Sequence, residues 1–314
     1  MQNITLGRTE LSVSPLGYGA APIGFLETEV EAVGQILNHL LDSGVNLIDT
    51  AAAYRGSEEA IGKTIGHRRD DYVLVSKCGM GGVEDPKFDN DPWHPGAIAL
   101  TIDRSLERLK TDHLDVCLLH TCPQEALEKG DVVAAVVEAV EAGKVRFAGY
   151  SGDNAAGAYA ATLPDIAVIE TSVNLCDQAN LETVIPACIQ HDVGVIAKRP
   201  IANAAWKDLS DQRGMYQNYA SEYHRRFNLM EVTPRDLGYH GHPEVEWPEI
   251  ALKFTLALEG VHTAICGTTN LDNAEHNLAA ANKNPLREEV VEKIKAAFAK
   301  ARDNDPEGDW TGRT

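Results

Sequence analysis

Apolar, strand-like segments alternate with helical segments along almost the whole chain. The strand-like runs include VNLIDT, YVLVSK, LDVCLLH and VRFAGYS, and each is followed by a stretch that predicts a helix. Eight such units predict right-handed parallel crossovers and closure into an α/β fold, the (β/α)8 TIM barrel. Residues 2–14 predict an N-terminal hairpin, and residues 201–246 predict extra loops and short helices at the C-terminal end of the barrel.

An open, doubly wound sheet is the alternative architecture. It would require a glycine-rich phosphate loop, GxGxxG, directly after an early strand. The segment GYGAAP at residues 17–22 begins that pattern, but its proline disrupts it. No break in composition marks a second domain, and 314 residues is an ordinary length for one barrel, so residues 1–314 are expected to form one domain. The last segment, DNDPEGDWTGRT, has the composition of a frayed tail.

The charge balance narrows the classes of partner. With 28 basic and 47 acidic residues the net charge is −19, which disfavours nucleic acid and anionic membrane surfaces. The chain has no apolar run near the roughly 20 residues of a membrane span, and its start lacks a secretory signal. The six cysteines lack the spacing of zinc ligands, so we expect no metal, buried thiols and a cytoplasmic location.

Four consecutive strand-like runs end on, or one residue after, a polar residue. The residues are Asp49, Lys77, His120 and Ser151, and Tyr54 follows Asp49 by five positions. In a parallel barrel these ends gather on one face, where active sites are built. Asp49 and Lys77 can pair, and a neighbouring Lys77 is expected to lower the pKa of Tyr54. A tyrosine tuned in this way is a general acid for a carbonyl oxygen that takes up a hydride, which His120 could orient.

Each of these residues also has an ordinary structural explanation. An isolated aspartate at a strand end is commonly a cap or an ion-pair partner, and a histidine on LDVCLLH can be a hydrogen-bonded core residue. The occurrence of Asp49, Tyr54, Lys77 and His120 together, at or just after successive strand ends, favours a common chemical role.

The segments DTAAAY, VSKCG, LDVCLLH, GKVRFAGYS and AICGTTNLDNAEHN resemble, in order and separation, signature segments of the aldo-keto reductases. The resemblance extends to about residue 281. It implies a barrel closed at its bottom by the hairpin, a nicotinamide coenzyme bound without a Rossmann fold, and a catalytic tetrad of Asp49, Tyr54, Lys77 and His120. The implied activity is the reversible reduction of small aldehydes or ketones, with Tyr54 as the general acid.

The resemblance also implies a coenzyme site, with departures from the usual pattern. Ser151 is retained, Gly152 replaces the usual Asn, Glu170 replaces the usual Gln beside the nicotinamide, and Lys198 replaces an aromatic residue. Lys198 and Arg199 are expected to reach the pyrophosphate. The implied coenzyme residues are Gly19, Ala20, Asp49, Ser151, Glu170, Lys198, Arg199, Pro200, Gly267, Thr268, Thr269, Asn273 and Asn277. Trp93 and Thr121, which stands where the family often has Trp, are candidates for the substrate side.

The coenzyme is expected to be NADP or NAD. The family often places a Lys directly after strand eight and an Arg six residues later, which select the extra phosphate of NADP. Here those places hold Gly267 and Asn273, and Asp272 adds a negative charge. The helix N-terminus with Thr268 and Thr269 leaves a weaker anion site. We therefore expect NAD(H) to be usable and the preference for NADP(H) to be small.

Two other functional classes remain open from the sequence. The first is a coenzyme-binding regulatory module on the same barrel, as in the potassium-channel beta subunits of this family. The second is a metal-dependent barrel hydrolase using Asp49 and His120, which would leave Tyr54 and Lys77 without a role.

Overall fold

A closed barrel of eight parallel strands forms the centre of the molecule, which is known from a computed structural model that describes residues 1–26, 28–212, 214 and 216–313. The predicted (β/α)8 barrel is therefore confirmed. Following the barrel round, the strands are β3 (Leu16–Gly19), β4 (Leu47–Asp49), β5 (Val73–Gly79), β6 (Leu114–His120), β7 (Val145–Ser151), β8 (Ile166–Ser172), β9 (Gly194–Lys198) and β10 (Thr263–Cys266), which pairs again with β3.

Helices surround the barrel and follow the strands in the predicted alternation. In chain order they are α1 (Ala21–Phe25), α2 (Val30–Asp42), α3 (Ser57–Thr64), α4 (Pro95–Leu109), α5 (Gln124–Lys129), α6 (Asp131–Glu141), α7 (Asn154–Ala161), α8 (Val184–Gln190), α9 (Tyr216–Tyr219), α10 (Ser221–Met230), α11 (Pro243–Leu256), α12 (Leu271–Ala281) and α13 (Glu288–Asp303). The short helices α9 and α10 lie within residues 201–246, where extra helices were expected.

The N-terminal hairpin, β1 (Ile4–Thr5) and β2 (Ser12–Val13), covers the bottom of the barrel. Gly7 has a positive φ of 51° and lies so close to Gly194 at the start of β9 that a Cβ would overlap its backbone. Arg8 donates hydrogen bonds to the carbonyls of Pro164 and Ile166, at 2.8 and 2.5 Å, near the start of β8. These contacts close the end of the barrel at which the strands begin.

The apolar core has two layers, one inside the barrel and one between the barrel and its helices. Helix α2 shows the origin of the outer layer, since its buried apolar residues recur at helical spacing, and these are Val33, Ile36, Leu37, Leu40 and Leu41. The buried residues of the inner layer are Leu47, Val73, Val75, Val116, Leu118, Ala167, Val168, Ile196 and Ile265 from the barrel, with Leu6, Leu11 and Val13 from the hairpin region. The inner layer fills the lower barrel, whereas the buried polar residues Asp49, Lys77, Ser151 and Glu170 lie toward the strands' carboxyl ends.

The C-terminal tail is ordered against the barrel, and the expectation of a frayed end was wrong for residues 304–313. The ring of Trp310 packs edge-on against Phe298 of α13, with 5.1 Å between ring centroids. Arg226 of α10, which is fully buried, donates to the carbonyls of Asp309 and Thr311 at 2.9 and 2.8 Å. A buried arginine from a distant helix therefore holds the tail, which composition alone could not reveal.

Candidate active site

The strand register brings the predicted residues together at the carboxyl end of the barrel. His120, the last residue of β6, lies beside Ser151, the last residue of β7, and Ser151 lies beside Glu170 of β8. Asp49 ends β4, and Lys77 lies on β5, next to β4. Parallel strands in register thus convert five separate sequence positions into one polar surface at the mouth.

Lys77 is the centre of this surface and is held by two carboxylates. Its Nζ donates to Asp49 Oδ1 at 2.5 Å and to the carbonyl of Thr50 at 3.0 Å, and it lies 3.1 Å from Glu170 Oε2. Burial alone would lower the pKa of Lys77, but Asp49 and Glu170 raise it above the ordinary lysine value. Lys77 is therefore a fixed positive charge. We refer to Asp49, Lys77 and Glu170 as the Lys77 cluster.

The two carboxyl groups of the Lys77 cluster differ in their affinity for a proton. Burial and the neighbouring Glu170 raise the pKa of Asp49 well above its ordinary value, against the opposing charge of Lys77. Burial acts in the same direction on Glu170, but Lys77 and Lys198 outweigh it and hold the pKa of Glu170 below its ordinary value. Glu170 is therefore the stronger acid of the pair.

Tyr54 lies beside this cluster, in a turn that the backbone defines. Its N–H donates to the carbonyl of Ala51 at 2.9 Å, and its own carbonyl accepts from the N–H of Ser57 at the start of α3 at 2.9 Å. The Nζ of Lys77 is 5.3 Å from the centroid of the Tyr54 ring, and the ring of His120 meets it edge-on at 5.9 Å between centroids. The predicted tetrad is thus a single contact group.

The expected direction of the Tyr54 pKa shift was wrong. Burial raises the pKa of Tyr54 above its ordinary value, and although Lys77 acts to lower it, this attraction is smaller than the effect of burial. Tyr54 therefore carries its proton at neutral pH. A protonated phenol is the form that can donate to a carbonyl oxygen, so the shift is compatible with a general acid.

His120 is a neutral imidazole at neutral pH. Burial, with a further contribution from Lys77, lowers the pKa of His120 to about 3. Its Nδ1 is buried without a hydrogen-bond partner among the described residues. Buried polar atoms are normally paired, so a free ring nitrogen at the mouth indicates a place for a polar ligand atom.

The residues expected near the pyrophosphate have partners within the protein. Lys198 is buried, with its Nζ 3.6 Å from Asp153 Oδ2. Arg199 donates to Ser172 Oγ at 2.7 Å and also hydrogen-bonds the hydroxyl of Tyr219 and the carbonyl of Arg313. The following residue, Pro200, accepts from Thr255 Oγ1 at 3.2 Å through its carbonyl.

The segment after β10 forms a helix N-terminus beside the carboxyl end of β3. Asn270 caps α12 by accepting from the N–H of Asn273 at 3.1 Å, and Asn277 in the same helix is buried. Tyr18 of β3 donates to the carbonyl of Thr268 at 2.7 Å. Four more of the predicted coenzyme residues belong to this region, and they are Gly19, Ala20, Gly267 and Thr269. Gly267 lies so close to Gly19 that a Cβ on Gly267 would overlap the carbonyl oxygen of Gly19.

The candidate substrate residues lie at the same end of the barrel. The ring of Trp93 packs on Gly79, the last residue of β5, so closely that a Cβ there would overlap it. Thr121 directly follows His120, has a positive φ of 61°, and donates through its N–H to the carbonyl of Ser151 at 2.7 Å. Its conformation is a strained one for a branched residue, and it turns the chain out of β6.

Two residues of the site were missed from the sequence. Phe25 of α1 meets Tyr54 edge-on, with 5.3 Å between centroids, and is 38% exposed. Asp153, which follows β7, accepts from Thr171 Oγ1 at 2.7 Å and from the N–H of Ser172 at 2.6 Å, and pairs with Lys198. The sequence offered one signal for each residue. Phe25 is an aromatic residue in a short helix after β3, and Asp153 is an acidic residue two positions after the end of β7.

Within residues 1–26, 28–212, 214 and 216–313 there is no group of three or more His, Cys, Asp and Glu side chains arranged to hold a metal ion. Over the same described residues, no helix is both long and apolar enough to cross a membrane.

Comparison with known proteins identifies the family. The profile described as "Aldo/keto reductase family" matches residues 15–299, which include all four residues of the tetrad. The chain belongs to the aldo/keto reductase family. Members of this family are NAD(P)H-dependent oxidoreductases, and this aldo/keto reductase is accordingly an enzyme that acts on carbonyl groups with a nicotinamide coenzyme.

Individual relatives resemble this aldo/keto reductase over most of its length. The oxidoreductase YqkF of Bacillus subtilis is 29% identical over 308 residues, which cover 94% of this chain and 96% of that protein. L-galactose dehydrogenase of Arabidopsis thaliana is 25% identical over 293 residues, covering 88% and 87%. The holo form of aldo-keto reductase AKR11C1 from Bacillus halodurans superposes with a TM-score of 0.78 at 27% identity, covering 95% and 96%.

Proposed function

We propose that this enzyme reduces small aldehydes or ketones, reversibly, with Tyr54 as the general acid and Asp49, Lys77 and His120 as its catalytic partners. The observation that carries the proposal is the contact of Tyr54 with both Lys77 and His120 at the mouth of the barrel. A fixed cation, a protonated phenol and a neutral imidazole are the groups that a carbonyl oxygen needs as it gains electrons and a proton.

The residues at the mouth fit a nicotinamide coenzyme. Two buried polar atoms there, Nδ1 of His120 and Oε2 of Glu170, have no directed hydrogen bond among the described residues, although Glu170 Oε2 is within ion-pair distance of Lys77. Glu170 and Ser151, joined by a 3.2 Å hydrogen bond, would hold the carboxamide, and Lys198 with Arg199 the pyrophosphate. The N-terminal turn of α12 would hold the adenosine end. The coenzyme, NADP or NAD, supplies the hydride.

The protein residues perform the proton chemistry. The neutral ring of His120 would donate a hydrogen bond to the substrate oxygen and orient it. Tyr54 then transfers its phenolic proton to that oxygen, which becomes the hydroxyl of the alcohol. The phenolate that remains is stabilised by the charge of Lys77, whose position Asp49 fixes through the 2.5 Å hydrogen bond.

Other features support the assignment of location and organisation. All six cysteines are free and buried, which is typical of proteins of a reducing compartment and supports a cytoplasmic location. We also propose that residues 1–314 make up one domain, because the tail and the hairpin both pack on the same barrel. The intact Lys77–Tyr54 contact favours turnover over a purely regulatory role.

A panel of aldehydes and ketones, followed by loss of reduced-coenzyme absorbance, tests this function. Tyr54→Phe should lower turnover by roughly 10²–10⁴-fold, the contribution of a general acid, while coenzyme affinity stays near that of the wild type. Tyr72→Phe is the matched control, because Tyr72 is buried and its hydroxyl has no partner among the described residues. Rates near wild type for Tyr54→Phe would refute the acid role, and coenzyme binding without turnover across the panel would favour the regulatory module.

A further inference from the structure

The Lys77 cluster contains one carboxylate more than it contains cations. Glu170 is 2% exposed and occupies the position at which the family usually has a neutral Gln. Asp49 and Glu170 both approach the same ammonium group, at 2.5 and 3.1 Å. Glu170 is the stronger acid of the two, and its ionised form places a negative charge inside the barrel mouth, where water screens it poorly.

Lys77 and Lys198 are the cations that act on Glu170, and each of them also pairs with another carboxylate. Lys198 is the next cation, but it is paired with Asp153 at 3.6 Å. Arg199 is bound to Ser172 and to the tail, and the nearby His120 and Tyr54 are neutral at neutral pH. Glu170 itself is ionised at neutral pH, since Lys77 and Lys198 hold its pKa below the ordinary value against the effect of burial.

The proposed chemistry fixes how near the nicotinamide must come to this charge. The carbon that exchanges the hydride is bonded to the oxygen that Tyr54 protonates, so the nicotinamide ring must lie within a few ångströms of the Tyr54 hydroxyl. The Nζ of Lys77 lies between the two groups, 5.3 Å from the centroid of the Tyr54 ring and 3.1 Å from Oε2 of Glu170. At separations below roughly 10 Å, and with an effective dielectric constant of about 20, one unit charge changes a binding constant on the order of tenfold or more.

We propose that Glu170 is a specificity-determining residue that makes the site bind the oxidised coenzyme more tightly, relative to the reduced one, than a neutral residue would. The oxidised nicotinamide ring is positively charged and the reduced ring is neutral, so only the oxidised form gains from the negative charge of Glu170. This inference rests on the proposed function and deepens it. Glu170 would increase the share of bound coenzyme that is oxidised, and the oxidised form is the one that reacts with an alcohol substrate.

The reaction in that direction is the reverse of the reduction. The alcohol carbon transfers a hydride to the oxidised coenzyme, its O–H bond breaks, and the carbon–oxygen double bond forms. The hydroxyl proton passes to the phenolate of Tyr54 and from there to water. Lys77 and the positive ring of the bound coenzyme both favour that phenolate, so Glu170 assists oxidation by retaining the cation rather than by taking the proton.

The test compares dissociation constants for oxidised and reduced coenzyme, measured by fluorescence titration or calorimetry with NAD⁺ and NADH, and again with NADP⁺ and NADPH. At neutral pH, where Glu170 is ionised, Glu170→Gln should shift the oxidised-to-reduced affinity ratio about tenfold toward the reduced form. Glu58→Gln is the matched control. Glu58 is also a buried carboxyl, but it accepts hydrogen bonds from Ser76 and Arg108 and does not contact Lys77. The oxidised-to-reduced affinity ratio of the Glu58→Gln variant should therefore equal that of the wild type.

A second variant should shift the oxidised-to-reduced affinity ratio in the opposite direction, and it tests the inference if Glu170→Gln does not fold. Lys198→Met removes a cation that acts on Glu170, so it should shift the ratio toward the oxidised form. Equal weakening of both forms in Glu170→Gln, or a ratio in Lys198→Met that is unchanged or moves toward the reduced form, would overturn the inference and leave the proposed function intact. Failure of the wild-type protein to bind either coenzyme in any form would instead overturn the proposed function.

Discussion

Replacing Lys77 with Met should destabilise the protein strongly and in a pH-dependent way. The side chain is buried, its volume is nearly conserved by Met, and the substitution removes the shared counter-ion of two buried carboxylates. Breaking a buried ion pair by removing one partner typically costs about 3–5 kcal/mol, because the remaining charge stays buried and uncompensated. We expect a loss in that range near pH 8, with a fall in turnover because Tyr54 loses its cation.

The pH dependence of this loss comes from Glu170. In the wild type Lys77 helps to hold the pKa of Glu170 below its ordinary value, so the ionised carboxylate contributes stability that disappears as the pH falls. Without Lys77, burial should raise that pKa, and the buried carboxylate destabilises the fold until it takes up a proton at lower pH. The difference in unfolding free energy between the two proteins should therefore shrink on acidification, by up to about 1.4 kcal/mol per pH unit for one proton.

Urea denaturation followed by tryptophan fluorescence at about pH 8 and about pH 6 measures the effect, since both values lie above the ordinary carboxyl pKa of about 4. Lys63→Met, at an exposed lysine of α3, is the matched control and should change stability by less than about 0.5 kcal/mol at both pH values. A loss for Lys77→Met below about 1 kcal/mol, or a loss equal at the two pH values, would contradict the account of a lysine shared by two carboxylates.

Two further predictions concern the tail and the coenzyme. Arg226→Leu should lower the unfolding free energy by about 3–5 kcal/mol, because it leaves Asp177 buried without its cation at 3.7 Å. The same variant should raise amide exchange in residues 309–313, and unchanged exchange there would show that Arg226 does not hold the tail. In competitive titrations NADH should bind within about tenfold of NADPH, whereas a preference for NADPH of about a hundredfold or more would reveal a cation at the extra phosphate. Lys283 is the test case for such a cation, although it now pairs with Glu249 at 2.6 Å.

The sequence predicted the barrel and the pairing of Asp49 with Lys77 for the same physical reason. Strand and helix periodicity are local properties, and once eight units close a barrel, the position of a residue along its strand decides which end it occupies. Asp49 and Lys77 lie on adjacent strands near their carboxyl ends, so their contact follows from topology and opposite charge. The hairpin at residues 2–14 was also predicted, because pairing between two neighbouring segments is a local feature of the chain.

The properties that depend on burial were harder to predict. Lys77 does act to lower the pKa of Tyr54, as its proximity suggested, but burial of the phenol acts more strongly in the opposite direction. The degree of burial depends on packing around the turn that carries Tyr54, including the ring of Phe25, which the strand pattern does not specify. Charge partners can thus be inferred from strand ends, whereas the balance between desolvation and attraction requires the packed structure.

Arg199 illustrates a contact that sequence patterns do not encode, and it also bears on the coenzyme proposal. It hydrogen-bonds the carbonyl of Arg313, which is 114 positions away and offers a backbone atom that every residue type shares. The hydroxyls of Ser172 and Tyr219 also accept from Arg199, and all three of these acceptors are uncharged. A phosphate oxygen makes a stronger, charge-assisted hydrogen bond to a guanidinium than an uncharged acceptor does. Exchange of these acceptors for a pyrophosphate would therefore be favourable, which reconciles the bonded state of Arg199 with its expected role. Because the carbonyl of Arg313 is one of those acceptors, the same exchange would release that carbonyl, while Arg226 would still hold the carbonyls of Asp309 and Thr311.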